Sequence, residues 1–231
     1  MADPDLESYL QLVSLAVHEL RTPTSVVAGY LRMLQRDTDA PLSERQRKMI
    51  DEAERSCQRL GALIAELSEI QKFDTGQIQL QGQRFDLFEM IGEVAGTVHE
   101  ADDREVRLIV RGEARGALVQ GDLARLQRAF SAIFRAILRE MPGNTDVVVE
   151  RRTEQVNAAS SAVIVVAADA NVQSAYSAAP VPFDEKRGGL GLELPFARRI
   201  IERHGGRVHA PDQENSRGAA IVTFPLPELT R

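Results

Sequence analysis

The residue types best suited to chemistry lie together in His18-Glu19-Leu20-Arg21-Thr22-Pro23. A neutral imidazole nitrogen is a good nucleophile near pH 7. The adjacent Glu19 can hold the ring's other nitrogen and make the ring more basic. Thr22 lies four residues on, one helical turn along the same face, where its hydroxyl can orient a water. Pro23 removes a backbone donor and bends a helix just after the histidine. An isolated histidine on a helix is usually an ordinary surface residue. A proline tolerated inside a strong helix, beside neighbours of this chemistry, favours the functional reading.

The element that must carry these residues is a long helix. From Leu6, apolar residues recur four and three positions apart, at Leu10, Val13, Val17, Leu20, Val27, Leu31 and Leu34, with Thr24 the polar interruption. Such a stripe must bury against partners. His18 follows Val17, beside the seam, and can face solvent. Asp37–Leu42 breaks the pattern, and Ser43 with Gln46 forms a capping-box pair that starts a second helix. Ile50, Ala53, Cys57, Leu60, Ile64 and Leu67 share one face of that helix. The two helices read as an antiparallel hairpin with too little core of its own. Pairing with a second hairpin in a four-helix bundle predicts a homodimer.

Near Asp74-Thr75-Gly76 the periodicity changes, which predicts a boundary between a helical hairpin at 1–75 and a second domain at 76–231. Ile78–Gln81 alternates like a strand. Helices are expected near Leu87–Glu100, Leu123–Arg139 and Pro195–His204. Strands are expected at Val106–Val110, Val147–Arg151, Ala162–Ala168, Arg207–Ala210 and Ala220–Phe224. This mixture predicts a two-layer α/β sandwich, with Ser174–Arg187 a flexible loop.

The net charge of -6 argues against a nucleic-acid binder, which would normally show a basic face. No apolar run approaches the roughly 20 residues that span a bilayer, and the acidic Met1–Asp5 lacks a signal peptide's basic start, so no membrane contact is expected from this chain. The single cysteine, Cys57, cannot form an internal disulfide and points to a reducing cytoplasm. His99, His204 and His209 lack metal-ligand companions and are read as structural. The pairs Arg151-Arg152 and Arg198-Arg199 are read as solvated.

Ser14–Pro23 resembles the H-box of sensor histidine kinases, in their commonest dimerisation and phosphotransfer domain. In that family the position of His18 carries the phosphoryl group and that of Glu19 acts as base. The position of Thr22 helps hydrolyse the aspartyl phosphate of a response regulator. The resemblance continues in Gly188-Gly189-Leu190-Gly191-Leu192 and His204-Gly205-Gly206, similar to the family's second glycine box and the segment after it. Glycines there let backbone amides approach triphosphate oxygens. The Gly121-Asp122 turn also fits, and Phe183 is similar to a remnant of the phenylalanine box.

Departures from the family are equally specific. Its two helix asparagines, one a magnesium ligand, correspond to Ala132 and Ala136, and neither alanine offers the oxygen donor that the ion needs. Asp169 stands where the family recognises the adenine amino group, but the glycines after it correspond to Asn171 and Gln173. Asp169, Gly189 and Gly191 therefore mark a vestigial ATP site, with Gly189 and Gly191 kept for the turn they make. No metal ligands are assigned. The expected function is phosphate exchange between His18 and a receiver-domain aspartate, or its hydrolysis, without ATP of its own. An ATP- and Mg2+-dependent autokinase is the alternative, and a non-enzymatic regulator-binding module the third.

Overall fold

The computed structural model describes residues 4–38, 41–156, 159–212 and 216–227. The chain divides into two compact units, Met1–Gln79 and Leu80–Arg231.

The first unit is a hairpin of α1 (Pro4–Arg36) and α2 (Glu44–Asp74). Ser43 caps α2 with the expected reciprocal pair: its hydroxyl accepts the Gln46 N–H at 3.3 Å, and the Gln46 side-chain oxygen accepts the Ser43 N–H at 3.0 Å. These bonds satisfy donors that a helix start leaves without partners. At the far end Gly76 takes a left-handed φ of 70°, just past the cap residue Thr75. Val17, Ile64, Ile70 and Phe73 are buried. Near the connection, the Gln35 amide donates to Asp51 and Glu54, both at 2.9 Å. Asp39 and Ala40 of that connection, and the side chain of Leu6, lie outside the described residues.

The expected single stripe of α1 divides in two. Leu10, Val13, Val17, Thr24 and Leu31 are buried or half-buried, whereas Leu20, Val27 and Leu34 stay exposed. One helix partner covers only part of a stripe that runs the length of a helix.

The second unit opens with β1 (Gln83–Asp86), paired antiparallel with β3 (Leu118–Gly121). Ile78–Gln81 forms no strand, contrary to expectation. Gln81 instead donates its backbone N–H to the Asp122 carboxylate at 3.2 Å. Between β1 and β3 come α3 (Leu87–Thr97) and β2 (Arg107–Gly112), and α4 (Leu123–Glu140) follows β3. The remaining elements are β4 (Asp146–Val156), β5 (Ala159–Ala168), α5 (Val172–Ser177), β6 (Pro180–Pro182), α6 (Glu193–Arg203), β7 (Arg207–Pro211) and β8 (Ala220–Pro225).

The main sheet runs β2-β4-β5-β8-β7-β6, parallel only between β2 and β4. One face, with Val149, Ile164, Val222 and Phe224, meets the helix layer, where Phe130 of α4 packs 6.3 Å from Phe224. This is the expected α/β sandwich. The other face carries Val148, Val163, Val165, Ala167 and Ile221, and α5 covers it with Val172, Ala175 and Tyr176. The segment expected as a flexible loop thus holds α5 and β6, and α5 adds a partial third layer. Burial on both faces explains why β5 is apolar almost throughout.

The two arginines of β4 also differ from the solvated pair expected. Arg151 is buried on the helix side and donates to the Phe88 carbonyl at 2.6 Å. Arg152 turns to the other face, 3.9 Å over the Tyr176 ring and paired with Glu150. Arg198 is likewise engaged, with Glu185 and Glu202.

Candidate functional site

His18 sits on an exposed face of α1, its side chain 79% exposed beside Glu19 at 70%. The His18 Nδ1 lies 3.4 Å from a Glu19 carboxylate oxygen. With the carboxylate beside Nδ1, the lone pair free for attack is on Nε2. Thr22 is exposed one turn further on. The helix continues through Pro23, which has no N–H to give the Glu19 carbonyl. The next residue, Thr24, turns its hydroxyl back to the Leu20 carbonyl at 2.8 Å, a bond that often accompanies helix bending. His18, Glu19 and Thr22 thus share one solvent-facing stretch. It could hold a phosphoryl group on nitrogen and place a water next to it.

The same helix exposes large apolar side chains, among them Tyr9, Leu12, Leu20, Tyr30 and Met33.

In the second unit, Asp169 follows β5 and meets Arg111 of β2 in a two-point pair, at 2.5 and 3.1 Å. The Arg111 guanidinium holds the Asp169 carboxyl below its ordinary range. Asn171 closes a single 3-10 turn begun by Asp169, and Gln173 lies within α5. The residues at the first-glycine positions therefore start a helix and leave no open backbone loop.

Gly188, Gly189 and Gly191 all adopt left-handed φ, at 70°, 60° and 65°. Around Gly189 a side-chain carbon would meet nothing within 4 Å, so its backbone angle alone calls for glycine. At Gly188 such a carbon would lie 2.9 Å from the Ala136 Cα. Ala132 and Ala136 are both buried on α4. The Gly188 carbonyl accepts from Arg139 at 2.8 Å, and its N–H donates to Glu140 at 3.1 Å. Arg135 pairs with Glu193 at the start of α6.

His204, read from sequence as structural, joins two elements. Its Nε2 accepts the Asp122 N–H at 2.9 Å, and its Nδ1 lies 2.7 Å from the Ile200 carbonyl. These contacts select the neutral tautomer with the proton on Nδ1. After α6, Gly205 and Gly206 donate to the Glu202 and Ile201 carbonyls at 3.0 and 2.9 Å, a Schellman ending. Sequence reasoning missed Arg111, which stands 58 residues from its partner with no motif to signal it. Among the described residues no group of three or more His, Cys, Asp or Glu converges as a metal-ligand set.

Residues 8–76 match the His Kinase A (phospho-acceptor) domain. The sensor protein CutS of Streptomyces coelicolor is 31% identical over 229 residues, covering 94% of this chain and 52% of CutS. The signal transduction histidine-protein kinase BarA of Escherichia coli is 26% identical over 210 residues, covering 86% of this chain and 22% of BarA. The chain thus spans about half of one relative and a fifth of the other. Its fold is similar to that of full-length ShkA in complex with AMPPNP, with a TM-score of 0.63 at 17% identity, over 94% of this chain and 45% of ShkA. It is also similar to that of the histidine kinase ThkA in complex with the response regulator TrrA, with a TM-score of 0.58 at 19% identity, over 96% of this chain and 63% of that one. Residues 8–76 thus carry a phospho-acceptor domain, and the chain is similar over most of its length to sensor histidine kinases. It joins a phospho-acceptor helical hairpin to an α/β unit with the fold of these kinases.

Proposed function

We propose that this chain carries a phosphoryl group on His18 and exchanges it with a response-regulator aspartate, or hydrolyses it, without using ATP of its own. In the exchange, the His18 Nε2 lone pair attacks the phosphorus of an aspartyl phosphate. The N–P bond forms as the acyl O–P bond breaks, and the aspartate leaves as a carboxylate. Glu19, beside Nδ1, stabilises the charge that develops on the ring. Thr22 positions the water when the phosphate is hydrolysed. The receiver supplies the magnesium that this exchange requires.

The observation that carries this reading is the contrast between the two units. The His18-Glu19-Thr22 stretch is open, whereas the positions of a nucleotide site are engaged within the chain: Asp169 by Arg111, and Gly188 by Arg139, Glu140 and Ala136. Ala132 and Ala136 offer no oxygen to a cation, so magnesium-ATP does not fit these residues. We assign residues 1–75 to dimerisation and phosphotransfer, with the apolar face of α1 meeting a second copy, and 76–231 to a scaffold of the catalytic-domain fold.

The second reading is an ATP-dependent autokinase. It is favoured by the likeness to relatives named as kinases and by ShkA having been solved with AMPPNP. One labelling experiment separates the two. The chain is incubated with radiolabelled magnesium-ATP, or with receiver domains carrying labelled aspartyl phosphate. Label on His18 from a receiver alone, lost in His18→Ala, is expected. Label from ATP establishes the autokinase.

A further inference from the structure

The turn at Gly188 is held from one side by the end of α4, and the bonds are of an unusual kind for a glycine turn. Both backbone groups of Gly188 are taken by side chains of adjacent residues: the N–H by Glu140 and the carbonyl by Arg139. Arg139 is itself oriented by Glu100, at 2.9 Å. One turn back, Ala136 is small enough for the Gly188 backbone to lie directly on the helix. Three residues of α4 thus grip a single glycine through an acceptor, a donor and a flat contact. At the neighbouring Gly189 a side-chain carbon would meet nothing within 4 Å, so the close packing on α4 falls at Gly188.

We propose that the last turn of α4 is an internal latch on the glycine turn, which keeps anions from Gly188 by occupying it from within the chain. An N–H aligned on a turn of left-handed residues is a donor for anions. Here the Glu140 carboxylate already takes that donor, and its negative charge repels any phosphate that approaches. The Arg139 bond to the Gly188 carbonyl fixes the following peptide, so the planes on both sides of Gly188 are held by α4. The latch acts whether or not nucleotide is present, and the proposed phosphotransfer function does not depend on it.

Hydrogen exchange read by mass spectrometry tests this on the whole chain. Amides of residues 187–191 are compared in the wild type and in Glu140→Ala, Arg139→Ala and, as a control, Arg203→Ala. Circular dichroism and a thermal melt verify that each variant folds. Slow exchange in the wild type, accelerated about tenfold in both latch variants and unchanged in the control, is expected, because each variant removes one bond that holds the turn closed. Fast exchange in the wild type overturns the latch, as does exchange indifferent to both variants. A wild-type turn that slows further on adding magnesium-ATP would count against the nucleotide-free reading. It would leave the outcome of the variants to decide the latch on its own.

Discussion

His204 Nε2 lies 2.9 Å from the backbone nitrogen of Asp122, and this bond joins the end of α6 to the start of α4. Gly121 makes the approach possible, because a side-chain carbon there would lie 2.5 Å from the imidazole. His204→Ala leaves the Asp122 N–H without its partner and is expected to cost about 1–3 kcal/mol, read as a shift in urea midpoint. Gly121→Ala should cost at least as much, since the ring must move to admit the methyl. Equal stability of His204→Ala and wild type would show that the clasp is not stabilising.

Asp122 should set part of the acid limit of the second unit. Burial pushes its carboxyl upward. Hydrogen bonds from the Arg125 and Gln81 backbone N–H groups, and the Arg125 guanidinium, outweigh burial and hold it below the ordinary value. A carboxyl lowered on folding adds stability above its unfolded value of about 3.9, and that stability is lost as pH falls through the folded value. Asp122→Asn is therefore expected to flatten the decline in stability below about pH 4. Asp122→Ala also loses the helix cap, at about 0.5–2 kcal/mol near neutral pH.

The two glycines of the turn should respond differently to alanine. Gly189→Ala meets open space, so only its left-handed backbone opposes it, at about 1–2 kcal/mol. Gly188→Ala adds a carbon 2.9 Å from Ala136 and should lose clearly more. Paired denaturation curves decide, and a smaller loss at 188 than at 189 would contradict the packing.

Leu20, at 51% exposed, and Tyr30, at 64%, lie on the apolar face assigned to a second copy. Sedimentation should find the wild type dimeric at micromolar concentration, and Leu20→Glu or Tyr30→Glu monomeric yet helical. A monomeric wild type would remove that assignment.

Within the phosphotransfer site, the side chains should separate by function. Glu19→Gln is expected to slow transfer from a phosphorylated receiver by about 100-fold, the scale of losing one group that stabilises charge developing in the transition state. Thr22→Ala should leave transfer to His18 nearly intact while slowing the release of inorganic phosphate. Quenched-flow time courses on the two variants measure both rates.

The parts of the fold legible in the sequence are those with long periodicity. α1 and α2 repeat their apolar residues over many turns, and Ser43 with Gln46 announces the second helix. β1, β3 and β6 were invisible because strands of three or four residues, edged by glycine or proline, carry too few alternations to register. α5 escaped for another reason: Val172, Ala175 and Tyr176 are spaced as a helix face, but only over six residues. The unbroken apolar run of β5 was the available clue, since a strand with one wet face would alternate. His18, Glu19 and Thr22 are neighbours along one helix, so sequence spacing placed them together. Asp169 with Arg111, and Gly188 with Arg139, meet only through the tertiary fold, which no local pattern encodes.

Adjacent arginines on opposite faces of β4 leave that strand with a peculiar ambiguity. Three consecutive valines precede Glu150, and Arg151-Arg152 follow it. A shift of one position along the neighbouring strands would offer each face nearly the same side chains, so hydrophobic alternation cannot choose between the two alignments. The choice falls to Gly112 of β2, which pairs with Arg151 at a φ of 82° and lies so close to the Arg151 carbonyl that any side chain would collide with it. The next residue adds a second check, as the Glu113 carboxylate accepts both the N–H and the hydroxyl of Thr153 at 2.8 Å. One glycine and one glutamate at the end of an edge strand thus act as the index mark by which the strand beside it finds its place.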